Sequence, residues 1–328
     1  MSFSKSSNFG IIIPVIVALF NVFLILNPSQ VIIAGREGLL LWFNQVLPTL
    51  LPFVVGANLL ASLGFIHFMG ALAAPIMVPL FKVPGAGAYA LLTGVTSGYP
   101  MGAKAVAHLR ETGQITKDEA QRLISFSNNA GPLFVIGFVG AGLFSSVRFG
   151  YILLASHLAA AVTVGIIIRL LFSKNMSNLM DTENIGIKAA FIEYRHFMQN
   201  HYKGFGAAFG GSVKNAMESL VLVGGFIIVF SVAIKVLEVG GLFDLLGQNA
   251  GIAAGILEVA NGAKMLAAGG PPNAAVLAVT AGIISFGGFS VHSQVAHFIK
   301  DTDIRFLPYL GAKVLQSVLA GGICWWLV

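Results

Sequence analysis

Long apolar runs separated by short polar loops dominate the chain. Phe9–Leu26, Gly150–Phe172 and Phe306–Val328 are long enough to cross a bilayer, and Leu220–Leu237 nearly so; a spanning helix takes roughly 17 to 25 residues. Nothing shows the strict alternation of barrel strands, so the pattern predicts an all-α polytopic membrane protein. Between the clear spans lie apolar segments punctuated by glycine, proline and polar residues. A first helix is predicted over about Gly38–Gly64. An interrupted segment, Gly85–Leu109, follows and is too short for two full crossings. A third element is broken at "SNNAGP" (Ser127–Pro132), and a full span closes the half. The same order recurs downstream: a helix over Val213–Val239, an interrupted segment over Gly251–Ala268, an element broken at "GGFSVHS" (Gly287–Ser293), and a closing span.

Short identities support a duplication. "GAK" at Gly102–Lys104 recurs at Gly262–Lys264, and "ISF" at Ile124–Phe126 recurs at Ile284–Phe286, both at an offset of 160. "LLASLGFIHFMG" (Leu59–Gly70) resembles "VLEVGGLFDLLG" (Val236–Gly247) at a slightly larger offset, so the first copy holds an extra segment, roughly "LAAPIMVPLFKVPGAGA". Self-similarity at one register is the mark of a repeat. The chain divides into an N-terminal helix and loop (1–35), a first repeat (36–173), a polar linker (174–211) and a second repeat (212–328). If each interrupted segment is a re-entrant hairpin, each repeat crosses three times and the second is inverted.

Charge gives an independent check. Only 10% of the 328 residues are charged, and the mean hydropathy is +0.86; soluble domains carry about 25%. With the N-terminus on one side, that side receives thirteen basic residues: Lys5, Lys82, Arg110, Lys117, Arg122, Arg169, Lys174, Lys188, Arg195, Lys203, Lys214, Lys300 and Arg305. The other receives three, Arg36, Arg148 and Lys235. The positive-inside rule makes the first side the cytoplasm. The net charge of +6 therefore reflects orientation, and no nucleic-acid partner is expected. Phe9–Leu26 follows one lysine and precedes no convincing cleavage site, and reads as a retained anchor. The single cysteine, Cys324, excludes an intrachain disulfide and a cysteine-rich metal site. Ser173–Gly204, of mixed charge, reads as a cytoplasmic tether with an amphipathic helix.

Inverted repeats with broken helices are the plan of many secondary transporters. A break within the membrane frees backbone groups, which is tolerated only around a protein-lined cavity or a ligand. Pro100 and Pro132 stand where new half-helices could start, and a half-helix N-terminus cradles carboxylate oxygens. The candidate substrate-binding set comes from these breaks: Ser97, Gly98, Tyr99, Lys104, Asn128, Asn129, Gly131, Glu258, Asn261, Lys264, Phe289, Ser290, His292 and Gln294. A lysine inside a span costs roughly 2.5–3.5 kcal/mol on insertion scales. Lys104 and Lys264 read either as groups converging on one cavity from two faces or as side chains snorkelling to the nearest interface. Glu258 reads as a partner of Lys264 or as a carrier of a coupling proton. His157 reads as an interhelical hydrogen-bonding residue, and His67, His196 and His201 as interfacial or linker residues. No zinc helix, nucleophile elbow, phosphate loop or paired-cysteine motif occurs, so neither enzyme, metal nor cofactor is expected.

Four stretches carry a family resemblance: "TSGYPMGAKAVAHLRETGQITKDEAQRLISFSNNAGPLF" (Thr96–Phe134), "GGFIIVFSV" (Gly224–Val232), "LEVANGAK" (Leu257–Lys264) and "SFGGFSVHSQVAHFIKDTDIRFLPYLGAKVLQ" (Ser285–Gln316). From about Arg36 to the C-terminus the chain resembles the sporulation integral membrane proteins of the YlbJ (SpoVV) family. They belong to the wider set with Gate or nucleoside-recognition domains, similar in plan to concentrative nucleoside transporters. One departure is that "GQNAGIAAGILEVANGAK" is shorter than the family's usual segment. The resemblance implies movement of dipicolinic acid across the outer forespore membrane of a sporulating bacterium, with the N-terminus on the mother-cell side. Two lysines and half-helix N-termini would suit the two carboxylates of that dianion. The implied partners are this anion and membrane lipids, and homo-oligomerisation is compatible with the plan. The alternatives are a nucleoside carrier of the same fold, a non-transporting sporulation scaffold and, last, a membrane enzyme.

Overall fold

The structure, a computed structural model, describes residues 9–171, 191, 194–195, 197–200, 202, 204–270 and 272–328. Lys5, His196, His201 and most of the Ser173–Gly204 linker lie outside the described residues, as does the side chain of His67. The described residues form helices and no strands. Five of these helices are long and apolar enough to cross a membrane: Pro28–Ser62, Val147–Leu171, Phe205–Val239, Ala274–Ile299 and Phe306–Leu327. Phe9–Leu26 adds a shorter apolar helix whose isoleucines and leucines are mostly exposed, as expected of side chains that face lipid.

The first helix of each half is longer than the sequence suggested. Pro28–Ser62 and Phe205–Val239 are both 35 residues, about 50 Å at the helical rise. They match at one constant register, Pro28 onto Phe205 and Ser62 onto Val239. Each ends at a glycine in the left-handed region, Gly64 at φ 73° and Gly241 at φ 77°, which then starts the next helix. These two positions require glycine because a Cβ strongly disfavours that region. The two long helices pack on each other. Trp42, in a π turn over Trp42–Val46, donates its indole N–H to the Leu220 carbonyl at 2.9 Å. Its ring fills the space a Cβ on Gly224 would need.

The two interrupted segments are helix–break–helix hairpins. Gly87–Ser97 and Met101–Glu111 form the first, and Ala250–Leu257 and Val259–Ala267 the second, with shorter arms. Small residues let the arms meet backbone to backbone: a Cβ on Gly262 would overlap Gly255, and one on Gly102 would overlap the Ser127 carbonyl. The extra segment of the first half, Leu72–Ala88, supplies most of the helix Phe65–Phe81 and the lead into the first hairpin, where the second half has only Leu242–Leu246.

Both third elements break where expected. Lys117–Ser127 ends at Asn128, and the chain resumes as a wide π-type helix, Leu133–Leu143, after Pro132. The first of these helices starts at a capping box, Thr116 with Glu119, legible in "TKDE". The second broken element runs Ala274–Phe286, turns at Gly287 and continues as Gly288–Ile299. The closing helices Val147–Leu171 and Phe306–Leu327 pack together and against both broken elements. At one end, Arg110 grips Asp303 through two 2.9 Å bonds, and Gln121 pairs with both backbone groups of Arg305. The first hairpin and first broken helix are thereby tied to the loop before the last helix.

Candidate functional site

The breaks converge. A cavity of about 200 Å³ is lined by Gly98 and Tyr99 from the first hairpin and by Glu258, Val259 and Ala260 from the second. Gly131, Leu133, Phe134, Gly137 and Phe138 come from the first broken element, and Ser290, Val291 and Gln294 from the second. The two long helices close it with Gln45, Val46, Thr49 and Leu50 on one side and Val223 and Ile227 on the other. Aromatic rings form part of the wall, with Phe134 and Phe138 stacked at 5.5 Å and Tyr99 edge-on to Phe134. The Tyr99 hydroxyl and Gln294 Oε1 are buried and make no hydrogen bond among the described residues. Ser97 Oγ, Ser127 Oγ, Asn128 Oδ1 and His292 Nε2, on the same segments, are likewise unpartnered. Buried polar atoms are ordinarily satisfied, so such a cluster marks a place where hydrogen bonds await a ligand or water.

Glu258 is 3% exposed, and its carboxylate caps the second half-helix. Its Oε2 accepts from Asn261 N at 2.8 Å and Asn261 Nδ2 at 2.9 Å, while Oε1 has only a longer bond from Ala260 N, 3.2 Å. Asn261 also donates to Ser231 Oγ at 3.0 Å, which fastens the second hairpin to the long helix. The expected pairing of Glu258 with Lys264 does not form. Lys264 lies 3.7 Å from Glu37 with 63% of its side chain exposed.

Lys104 does not meet Lys264 either. Its Nζ donates to Ser219 Oγ at 2.6 Å and lies 5.8 Å from the centre of the Phe298 ring. There it lines a second, larger cavity of about 720 Å³ with Asn58, Thr93, His108, Glu111 and Asn215. The two lysines diverge because the small residues beside them face the partner arm and the neighbouring backbone. That leaves the lysines on the outward faces of their half-helices. Phe289 is 42% exposed, outside the cavity lining, with its ring against Phe286 and His292.

Asn128, Asn129 and His292 sit behind the first cavity, in a polar cluster organised by residues that the sequence reading passed over. Tyr309, Lys313 and Gln316 lie on one face of the last helix, spaced by four and three residues. The Lys313 ammonium donates to the Asn128 carbonyl at 2.9 Å and to Gln316 Oε1 at 2.5 Å. Gln316 donates to Asn129 Oδ1 at 3.1 Å, and Asn128 Nδ2 to the Tyr309 hydroxyl at 2.9 Å. The same hydroxyl lies 3.3 Å from His292 Nδ1. His157 is interhelical, as expected: its Nε2 accepts from Ala130 N at 3.0 Å, and Nδ1 lies 2.8 Å from Ser285 Oγ. Since a backbone N–H can only donate, the ring proton sits on Nδ1 and goes to Ser285. Lys313 is 1% exposed, and no carboxylate among the described residues comes within ion-pair distance of it. A third "GAK", Gly311–Lys313, was the available signal.

The Gate family, described as nucleoside recognition, matches residues 43–173, from the first long helix through the first closing helix. The sporulation integral membrane protein YlbJ of Bacillus subtilis (strain 168) is 34% identical over 312 residues, covering 90% of this chain and 76% of the relative. The chain belongs to the YlbJ family. Family membership and the helices together make it an integral, multi-pass membrane protein. No solved structure matches it. Among the described residues no group of three or more histidines, cysteines or carboxylates could hold a metal ion.

Proposed function

We propose that the protein is a transporter that moves a small aromatic dicarboxylate, dipicolinate, across the outer forespore membrane during sporulation. The observation that carries this reading is the cavity where both hairpin tips and both helix breaks meet. Breaking four helices inside a membrane protein frees backbone groups that an unbroken bundle would have kept paired. A scaffold has no use for that expense, whereas a carrier uses it to build a binding site near the midplane. The volume suits one substituted ring, since an engineered cavity of about 150 Å³ takes benzene. Phe134, Phe138 and Tyr99 offer faces for the ring, and the unpartnered hydroxyl and amide atoms offer partners for its oxygens. Positive potential comes from half-helix N-termini and from Lys313 behind the first break, since no lysine or arginine lines the wall. The N-terminus and linker lie on the mother-cell side in this reading, and the C-terminus on the other.

A second reading has its own observation. The single charged residue in the lining is Glu258, and together with Gln45, Thr49, Ser290 and Gln294 it would suit the hydroxyls of a nucleoside. Uptake of labelled dipicolinate into liposomes holding the purified protein, with uridine in parallel, separates the two. Saturable dipicolinate uptake supports the anion carrier. Uridine uptake alone supports the nucleoside carrier, and uptake of neither supports the scaffold.

A further inference from the structure

The cavity poses an electrostatic problem for an anionic substrate. Its lining contributes one ionisable carboxylate and no cation. Glu258 is buried there with only N–H donors for company: Ala260 N, Asn261 N and Asn261 Nδ2. The titratable and charged groups on neighbouring elements do not neutralise it. Tyr99 faces it across the cavity from the first hairpin. His292, on the second broken helix, is engaged at Nδ1 with Tyr309. Lys264, on its own half-helix, points away to Glu37. Lys235 of the long helix pairs with Glu238 at 3.0 Å, Lys214 lies beside Glu218, and Asp244 is exposed. The π-type helix Leu133–Leu143 and the helix Ala274–Phe286 carry no charge at all. Lys313 lies behind the first break, its ammonium held by the Asn128 carbonyl and Gln316 Oε1.

A dicarboxylate entering this space brings two negative charges beside a carboxylate in a medium of low dielectric. Like charges held that close favour protonation of one of them. We propose that Glu258 takes up a proton at Oε1 when the anion enters, so that each substrate molecule crosses with one proton. The proton comes from the water on the side to which the cavity is open and is released on the other as the substrate leaves. Oε1 is the atom because Oε2 is already held by two short bonds, whereas Oε1 keeps only the 3.2 Å contact with Ala260 N. A protonated Oε1 turns from acceptor into donor, which is what a bound carboxylate needs. The register of the repeats sharpens the assignment. Glu258 corresponds to Gly98 in the first half, so the first half-helix has no internal carboxylate at its cap. One tip is left open for the substrate and the other is filled by the chain itself.

This inference rests on the anion-carrier reading, and its test keeps the two apart. Purified protein in liposomes, with the membrane potential clamped, is given labelled dipicolinate under an imposed pH difference. Wild type should accumulate it about tenfold per pH unit, the ratio for one proton per molecule. Glu258→Gln should lose the pH-driven accumulation, whatever rate of exchange it retains. In weakly buffered detergent solution, wild type should also take up about one proton per dipicolinate bound. Exchange by wild type without pH-driven accumulation, or accumulation that survives in Glu258→Gln, overturns the coupling and leaves the carrier reading standing. Binding without proton uptake overturns it too, whether or not the variant folds. No exchange and no uptake by wild type overturns the carrier reading and the coupling with it.

Discussion

Replacing Gly102 with alanine adds one methyl group at the point where the first hairpin leans on the first helix break. The new Cβ would fall 2.9 Å from the Ser127 carbonyl carbon, 3.0 Å from Asn128 Cα, and on top of the Ser127 carbonyl oxygen. Carbon atoms prefer about 3.5–4.0 Å, so the hairpin and the break must part by about 0.5–1 Å. No flexible side chain can give way, because every obstructing atom is backbone. Overpacking of this kind costs about 1–3 kcal/mol, against a gain of about 1 kcal/mol from replacing glycine within a helix. The net expectation is a destabilisation of up to about 2 kcal/mol, with lost uptake as Asn128–Gly131 moves. Gly225→Ala is the matched control. It makes the same chemical change in the long helix Phe205–Val239 with nothing within 4 Å of the new methyl, and should stabilise by about 0.5–1 kcal/mol. Thermal unfolding in detergent and substrate uptake, measured on both, give opposite signs if close backbone approach is what the small residues provide. Equal stability of the two variants within about 0.5 kcal/mol would refute the reasoning.

Three further outcomes follow from named contacts. Lys264→Ala should leave uptake intact and cost at most about 1 kcal/mol, because its contact with Glu37 is a solvent-exposed pair; a large loss of uptake would return Lys264 to the site. Lys313→Met strips two acceptors of their donor, at about 1–3 kcal/mol each, but also removes a buried ammonium whose desolvation costs several kcal/mol. Unfolding should therefore shift little while uptake falls on the order of tenfold, and a collapse of folded yield with normal residual uptake would make Lys313 a structural clamp only. Arg110 holds the Asp303 carboxyl below its ordinary value, chiefly through the hydrogen bonds between them. A depressed carboxylate contributes stability above its unfolded value, near 3.9, and loses it as the pH falls through the folded value. The difference in unfolding temperature between wild type and Asp303→Asn should thus vanish in acid and be present at neutral pH; a difference that persists unchanged in acid would contradict this.

Lys104, Lys264 and Lys313 show how far the sequence could be read. All three follow Gly-Ala within an apolar stretch, and by composition they look alike. The structure places one against Ser219 beside a wide cavity, one on an exposed glutamate, and one in the buried cluster behind the first helix break. What separates them is the rotation of each helix about its own axis relative to its neighbours. That angle is set by packing between segments far apart in the chain, and a local motif carries little of it. The breaks were legible because they are made by local means. Pro132 has no N–H to bond the preceding turn, and the glycines at 287 and 288 stand at positive φ, 91° and 77°, where a helix does not run. Lys313 was hidden because it lies in an unbroken span, with only the tripeptide Gly311–Lys313 to mark it.

On the anion-carrier proposal, the likeness of the two halves and its imperfections bear on how a substrate would be held and let go. The long helices correspond residue for residue, and the left-handed glycines that end them coincide. Beyond that point the halves diverge in three places. The first half inserts Leu72–Ala88, the second shortens its hairpin, and Glu258 stands where the first half has Gly98. A symmetric pair of empty half-helix caps would offer two equal positive ends to a dianion, and the substrate would bind as a counter-ion with little reason to leave. With Glu258 at one cap, the proposed carrier sets its own carboxylate beside those of the substrate. Under the proposed coupling, occupancy depends on protonation of that carboxylate, and release follows when it is ionised again. On that proposal, the carboxylate at position 258, where the other hairpin has Gly98, is what would let a bound anion leave.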